Sequence, residues 1–295
     1  MSYYLPLTSG CSNNTCTFCY YYGSRLQLRE LEEVKAEIDA LKLFKTSGVT
    51  VPGMSPVVYQ LASQWDGRRV FLQDGDALVY PFPKLVEVLD HLNAAFPKLE
   101  RVAVYATAQD ILRRTPEQLR ELGRRKLAIL YIGLESGDDE ILKAVGKNST
   151  AAEMVAAARR VEEAELSLSV MVILGLGGVE HSEQHARASA RALSQMDPEF
   201  GAALTLTEVP GTPMHVQIES GQFHPISPFQ SLQELRTIIA NLEVTSCFFS
   251  SMHASNYLTV RGTLPDDREK MLAQIDRVLE KRDPSMLRPE GFRGL

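Results

Sequence analysis

Alternation of strand-like and helix-like segments limits the folds open to this chain more than any other feature of its sequence. Short apolar runs that suit buried strands occur at residues 3–7, 69–72, 101–105, 127–134, 166–174 and 200–206. Segments with apolar residues at helical spacing follow at residues 28–44, 83–96, 116–125, 151–165 and 182–196. Parallel strands joined by crossover helices produce this pattern, so the sequence predicts an α/β fold.

Polar residues or glycines follow each predicted strand. They are Cys11, the Asp74-Gly75-Asp76 turn, Thr107, Glu135, Gly175 and Glu208. Barrels and open sheets both place their sites at the carboxyl ends of parallel strands. Because these residues recur after all six strands, the pattern favours a partial (β/α)6 barrel of the TIM type over an open sheet with one crevice.

The remaining segment predicts a capping extension. Residues 1–220 are expected to form the barrel, with residues 221–295 closing its mouth as part of the same globular unit. Within this extension we expect a helix at 232–242, a strand at 244–249, a polar loop at 253–263 and a helix at 265–281. Residues 45–65 show no clear period and contain several prolines and glycines, so they predict an irregular excursion.

Composition narrows the function classes. The chain has 295 residues, 44% of them apolar, which is enough to bury a substantial core. A net charge of −6 disfavours a general nucleic-acid-binding surface, so a nucleic acid partner is not expected. There is no apolar run of membrane-spanning length, and the first residues lack a signal-peptide pattern. These observations predict a cytoplasmic protein with no membrane partner.

Three of the four cysteines, Cys11, Cys16 and Cys19, lie within nine residues directly after the first predicted strand. A tetrahedral zinc site needs a fourth ligand, whereas three thiolates can hold three irons of a cubane cluster and leave the fourth iron open. One alternative is a non-catalytic zinc or iron-sulfur site that recruits Cys247. The apolar surroundings of Cys247 favour a buried strand residue instead.

The cysteine spacing, C-x4-C-x2-C with Phe18 before the last cysteine, resembles a variant of the C-x3-C-x2-C signature of the radical S-adenosylmethionine (SAM) superfamily. The phrases Tyr131-Ile-Gly-Leu-Glu-Ser-Gly-Asp-Asp139 and Val209-Pro-Gly-Thr-Pro213 are typical of the branch related to the Elongator catalytic subunit and coproporphyrinogen dehydrogenase. The resemblance implies an enzyme with a [4Fe-4S] cluster on the triad. SAM bound to the open iron would be cleaved to methionine and a 5′-deoxyadenosyl radical, which abstracts hydrogen from a substrate.

The resemblance also implies roles for residues after the strands. Asp74, Gly75 and Asp76 stand where the family has its Gly-Gly-Glu motif, which holds the methionine amino group, although both flanking residues here are aspartates. Glu135 is the expected acceptor for the ribose hydroxyls, assisted by Thr107. The residues expected around the adenine are Tyr20, Ile173, Gly175 and Leu176. From the residues alone, the Asp74–Asp76 stretch also suits an ordinary turn, and Glu135 also suits a helix cap.

The sequence says less about the substrate and the partners than about the cofactors. The crowded polar residues His253, Asn256, Tyr257 and Arg261 are the candidates for the substrate side of the mouth. We expect a small-molecule substrate and an external electron donor such as flavodoxin or ferredoxin. The alternative of an RNA-modifying enzyme of the methylthiotransferase kind normally brings additional cysteines, which this sequence lacks. His181 and His185 have helical i,i+4 spacing, but we expect a solvated helix start there.

Overall fold

The computed structural model describes residues 2–294 and has a mixed α/β fold. The strands are β1 (Tyr3–Pro6), β2 (Thr8–Ser9), β3 (Gln27–Leu28), β4 (Arg69–Gln73), β5 (Arg101–Ala106), β6 (Leu127–Glu135), β7 (Ser167–Leu174), β8 (Phe200–Thr205), β9 (Cys247–Ser250) and β10 (Arg261–Leu264). The helices are α1 (Leu31–Ser47), α2 (Pro56–Gln64), α3 (Phe82–Ala95), α4 (Ala108–Arg113), α5 (Pro116–Arg124), α6 (Asp139–Ala144), α7 (Ala151–Glu163), α8 (Ser182–Met196), α9 (Pro213–Glu219), α10 (Pro228–Asn241) and α11 (Arg268–Lys281).

Eight strands form one sheet in the order β1-β4-β5-β6-β7-β8-β9-β10, and β2 pairs with β3 in a separate antiparallel ribbon. The pairs β1/β4, β4/β5, β7/β8 and β8/β9 are parallel, while β10 runs antiparallel to β9. The order never reverses, as it does at the switch point of a doubly wound sheet. The predicted fold class, a partial barrel of the TIM type, is therefore confirmed.

Two compact units can be distinguished. The first contains the described residues up to Asn14, Ser24–Tyr131 and Arg160–Ser167. Its core includes Trp65, whose ring centre lies 5.5 Å from that of Tyr3 and 4.7 Å from that of Phe96. The indole Nε1 of Trp65 donates to the carbonyl oxygen of Arg69 at 2.7 Å, so this large ring is buried without leaving its polar atom unpaired.

The second unit contains Thr15–Gly23, Ile132–Arg159 and the described residues from Leu168 onward. Helix α10 packs on α8 and begins with a capping box between Ser227 and Gln230. Phe249 of β9 is fully buried against Gly201, where a Cβ atom would lie 2.6 Å from the ring. The close contact between β8 and β9 thus requires a glycine at position 201.

Two predictions about local structure are wrong. The stretch 45–65 is not wholly irregular, because α2 occupies Pro56–Gln64; Pro56 is not a breaker but stands at the helix start, where its missing N–H costs nothing. The predicted loop 253–263 ends in β10, which is paired with β9. β10 has only four residues, which are too few for the sequence to show the apolar and polar alternation of a strand. The proposed boundary at residues 220 and 221 stays a prediction.

None of the helices in residues 2–294 combines the length and the apolar character needed to cross a bilayer.

Candidate functional site

The loop that contains Cys16 and Cys19 is a compact turn. Cys16 is buried, and the N–H of Cys19 donates to its carbonyl oxygen at 3.1 Å. The N–H of Tyr21 donates to the sulfur of Cys19 at 3.4 Å. Burial and the charge of Glu135 raise the pKa of the Cys19 thiol, so its thiolate form needs a cationic partner. Hydrogen bonds to sulfur of this kind are typical of cysteines that ligate iron-sulfur clusters.

Cys11 lies in the first unit, beside the turn that follows β4. Its Sγ atom is 3.9 Å from the carbonyl oxygen of Gly75. Within residues 2–294, no three His, Cys, Asp or Glu side chains converge on the position of a single ion. A set of three cysteines fits an iron-sulfur cluster, because each thiolate binds a different iron and the three sulfurs need not meet at one metal ion.

The three residues of the Asp74–Asp76 turn differ in their burial. Asp74 and Gly75 are half-buried, whereas Asp76 is fully buried and accepts a hydrogen bond from the hydroxyl of Ser12. Within the described residues, the other carboxyl oxygen of Asp76 has no hydrogen-bond partner. Burial, followed by the nearby Asp110, raises the pKa of Asp76 to about 8. Asp76 is therefore neutral at pH 7 and directed into the protein, and a direct contact with a ligand stays a prediction.

Thr107 begins helix α4. Its hydroxyl accepts a hydrogen bond from the N–H of Asp110 at 3.2 Å and donates one to the Asp110 carboxyl group. The side chain thus serves as a helix cap in this structure. Its predicted assistance at the ribose stays a prediction.

Glu135 ends β6 with a φ of 61°, in the left-handed region that disfavours side chains with a Cβ. Its Oε1 atom accepts from Nζ of Lys147 at 2.9 Å, and both side chains are largely buried. The alternative of a helix cap is wrong, because Asp138 caps α6 by accepting from two backbone N–H groups. Glu135 folds back over Gly133, where a Cβ would lie 1.9 Å from its carboxylate.

An apolar cavity of about 220 Å³ lies in the second unit beside Cys19. Its wall consists of Phe18, Cys19, Tyr20, Tyr21, Ile173, Leu204, Thr205, Leu206, Thr207, Val209, His253 and Ser255. The structure thereby brings the predicted residues Tyr20, Ile173 and His253 together with one predicted metal ligand. The polar groups in this wall are hydroxyls and an imidazole whose pKa is lowered by burial and by Arg288.

Gly175 and Leu176 are not part of that wall. Gly175 has a φ of 84°, and its N–H donates to the carboxylate of Glu234 at 2.7 Å. Leu176 is buried in a small apolar cluster with Ile141, Val145 and Met214. Both residues hold the segment after β7, and a direct role at the adenine stays a prediction.

The structure places the four predicted substrate residues in different surroundings. His253 lines the cavity, but Asn256 is buried, accepting from the Thr205 hydroxyl at 2.9 Å and donating to the Ala203 carbonyl at 2.7 Å. Tyr257 donates to Glu290 at 2.8 Å. Arg261 is exposed, with one guanidinium nitrogen 3.6 Å from the sulfur of Met252. Three of the four therefore lie outside the cavity wall.

Sequence reasoning missed Arg293, whose side chain is only 6% exposed. Its guanidinium donates to the Ser255 carbonyl at 2.6 Å and to the Leu206 carbonyl at 2.9 Å, and it lies 4.2 Å from the Tyr257 ring centre. Arg293 thus joins two segments of the cavity wall. An arginine in a polar C-terminal stretch gives no sequence signal of such burial.

A buried histidine was also missed. The sequence predicts a solvated helix start at His181 and His185, but His185 is fully buried. Its Nε2 atom lies 3.0 Å from the Ile173 carbonyl oxygen, and its Nδ1 atom lies 2.9 Å from the Ser136 hydroxyl. Burial lowers the pKa of His185 to about 4, so the neutral imidazole serves as a hydrogen-bonding support for the cavity wall.

The sequence matches one family model, described as the Radical SAM superfamily, over residues 5–188, which is more than half of the chain. A curated relative, tRNA-2-methylthio-N(6)-dimethylallyladenosine synthase of Bordetella avium (strain 197N), is 23% identical over 294 residues and covers 96% of this chain. The match spans 57% of the length of that relative.

Solved structures share the fold. The archaeal Elp3 of Methanocaldococcus infernus aligns with a TM-score of 0.56 and 10% identity, over 99% of this chain and 64% of that chain. Coproporphyrinogen III oxidase (HemN) of Escherichia coli aligns with a TM-score of 0.55 and 13% identity, over 81% and 51%. Methylornithine synthase (PylB) aligns with a TM-score of 0.54 and 18% identity, over 81% and 62%.

Proposed function

Because the chain belongs to the radical SAM superfamily, a superfamily of enzymes whose cofactors are a [4Fe-4S] cluster and S-adenosylmethionine, we propose that it is a radical SAM enzyme acting on a small molecule. Cys11, Cys16 and Cys19 would hold the cluster through three of its irons. When bound, the cofactors supply the electron and the 5′-deoxyadenosyl group that abstracts hydrogen from the substrate. The chain's own residues bind and orient SAM and exclude water.

The cavity beside Cys19 is the observation that carries this proposal. A planar, uncharged adenine suits its apolar wall, and the hydroxyl of Thr207 is suited to bond the ring edge. Glu135 accepts the ribose hydroxyls through its carboxylate. The half-buried carbonyl of Gly75 is the group of its turn suited to the methionine ammonium, since Asp76 is directed inward.

Anaerobic reconstitution tests the proposal. The wild-type chain should take up about four irons and four sulfides, and the triple variant with alanine at positions 11, 16 and 19 should lose them. Incubation with SAM and dithionite should then release 5′-deoxyadenosine. A zinc content near one per chain, without iron-dependent absorbance, would refute the assignment.

The rival four-thiolate site would need Cys247. That residue is fully buried in β9, and burial raises the pKa of its thiol to about 12. Forming a thiolate ligand there would require desolvating a charge inside a packed sheet. We therefore assign Cys247 to the core of the second unit.

RNA modification is the second candidate, since the name of the curated relative describes a tRNA-modifying synthase. Given this match, our expectation that the chain has no nucleic acid partner is not supported. Comparing SAM cleavage with and without unmodified tRNA separates the two candidates. Faster cleavage with tRNA would favour the RNA-modifying role over the small-molecule role, and an unchanged rate would favour the small-molecule role.

Two further expectations remain part of the proposal. They are kinship with the Elongator and coproporphyrinogen dehydrogenase branch, and a flavodoxin or ferredoxin as electron donor.

A further inference from the structure

The turn formed by residues 145–148 is attached to the cysteine loop. The attachment consists of three hydrogen bonds: Thr17 N–H to the Val145 carbonyl at 2.9 Å, the Thr15 hydroxyl to the Gly146 carbonyl at 2.7 Å, and the Asn148 amide to the Thr15 hydroxyl at 3.0 Å. Gly146 has a φ of 70°, and a Cβ there would lie 2.3 Å from the Thr15 carbonyl oxygen. The backbone of the turn is therefore fixed relative to the loop of Cys16 and Cys19.

Lys147 projects from this turn to Glu135. Their ion pair of 2.9 Å joins side chains that are 11% and 13% exposed, respectively, so solvent screens it much less than a surface pair. Removing either partner would leave the other charge poorly solvated. The pair is thus a strong constraint on where the Glu135 carboxylate lies.

The backbone of Glu135 makes such a constraint necessary. Its φ of 61° is unfavourable for a residue with a Cβ and persists only where the surroundings enforce it. Gly133 leaves room for the carboxylate to fold back, while the ammonium of Lys147 holds its Oε1 atom. A carboxylate has about four lone-pair positions, so Glu135 can accept from hydroxyls while it remains paired with Lys147.

We propose that Lys147 is a positioning residue that holds the Glu135 carboxylate where it accepts the ribose hydroxyls of SAM, and that its turn links this contact to the cysteine loop. The inference rests on the proposed function, because it takes Glu135 as the ribose acceptor. It assigns to Lys147 no contact with SAM itself.

Two nucleosides separate this role from a direct contact. S-adenosylhomocysteine carries adenine, ribose and an amino acid group, whereas 5′-methylthioadenosine lacks the amino acid group. Calorimetric titration of each into the reconstituted protein would compare wild type with Lys147→Met, Glu135→Gln and the double variant. Lys143→Met, at an exposed lysine of α6, is the matched control.

We expect Lys147→Met to weaken the binding of both nucleosides equally, by roughly 10-fold. Glu135→Gln should weaken both similarly, and the double variant should be no weaker than the poorer single variant, because the two residues act as one unit. Lys147→Arg should restore part of the affinity. Iron content should stay unchanged, since the three bonds between turn and loop do not involve the lysine side chain.

Other outcomes are equally distinct. If Lys147→Met weakens only S-adenosylhomocysteine, the lysine contacts the amino acid carboxylate and the positioning role is wrong. If both affinities stay at the wild-type level, or the losses in the double variant simply add, the role is also wrong. Wild-type protein that takes up iron but binds neither nucleoside would overturn the proposed function instead, and would be recognised before any variant is made.

Discussion

Replacing Asp76 with asparagine is expected to change how stability depends on pH. Asp76 is fully buried, and Asp110, beside it, is 3% exposed. Burial, followed by the charge of Asp110, raises the pKa of Asp76 from its ordinary value of 3.8 to about 8. An asparagine has nearly the same shape and does not titrate, so it removes the Asp76 carboxyl from the titration of the Asp76–Asp110 pair.

The sign follows from proton counting. Between pH 3.8 and about 8, the folded protein holds a proton on Asp76 that the unfolded chain has released. The free energy of unfolding therefore falls as pH rises through this window and levels off above it. At about 1.4 kcal/mol for each pH unit, the full loss is on the order of 6 kcal/mol, and Asp76→Asn should remove most of it.

Urea unfolding from about pH 5 to about pH 9 measures this effect. The stability of Asp76→Asn relative to wild type should increase steadily with pH until about pH 8. Asp266→Asn, at an exposed position, serves as the control and should follow wild type at every pH. Parallel curves for wild type and Asp76→Asn would mean that Asp76 is already ionised in the folded protein, and would refute the reasoning.

Three further substitutions have defined expectations. Arg293→Ala should lower the free energy of unfolding by about 2–4 kcal/mol, because it leaves the carbonyls of Leu206 and Ser255 without their donor, and Arg293→Lys should recover part of that in urea titrations. Cys247→Ala should retain full iron content after reconstitution and cost about 1 kcal/mol for the small cavity; loss of iron would contradict its assignment to the core. Ser227→Ala should cost about 1 kcal/mol by removing the capping box of α10, and an unchanged unfolding midpoint would show that α10 does not depend on this cap.

The fold class could be predicted because it follows from a periodicity that many residues share. Six buried strands and the helices between them repeat the same hydrophobic pattern, so no single position decides the outcome. Short elements carry no such repetition. Helix α2 was missed because Pro56, its first residue, is indistinguishable from a loop proline until the following turn is known.

The candidate site could be predicted only in part, since a sequence motif does not say which way a side chain turns. Glu135 was identified from its phrase, but its partner Lys147 lies in a turn that the sequence does not mark. Asn256 has the donors and acceptors of a substrate ligand and uses them inside the protein, on the Ala203 carbonyl and the Thr205 hydroxyl. Arg293 is buried by contacts with distant segments, and no local pattern encodes those contacts.

The close approach at Gly146 implies a covariation among relatives of this chain. Because a Cβ at this position would meet the Thr15 carbonyl oxygen at 2.3 Å, any replacement must push the turn away from the cysteine loop. The ammonium of the next residue, Lys147, would then no longer reach Glu135. Relatives that lack the glycine should therefore also lack the lysine. Relatives that keep the glutamate should also keep the Gly-Lys pair, with a spacer of the same length as residues 136–145 between them. This triplet would be a sequence fingerprint for one mode of nucleoside binding, readable without a structure.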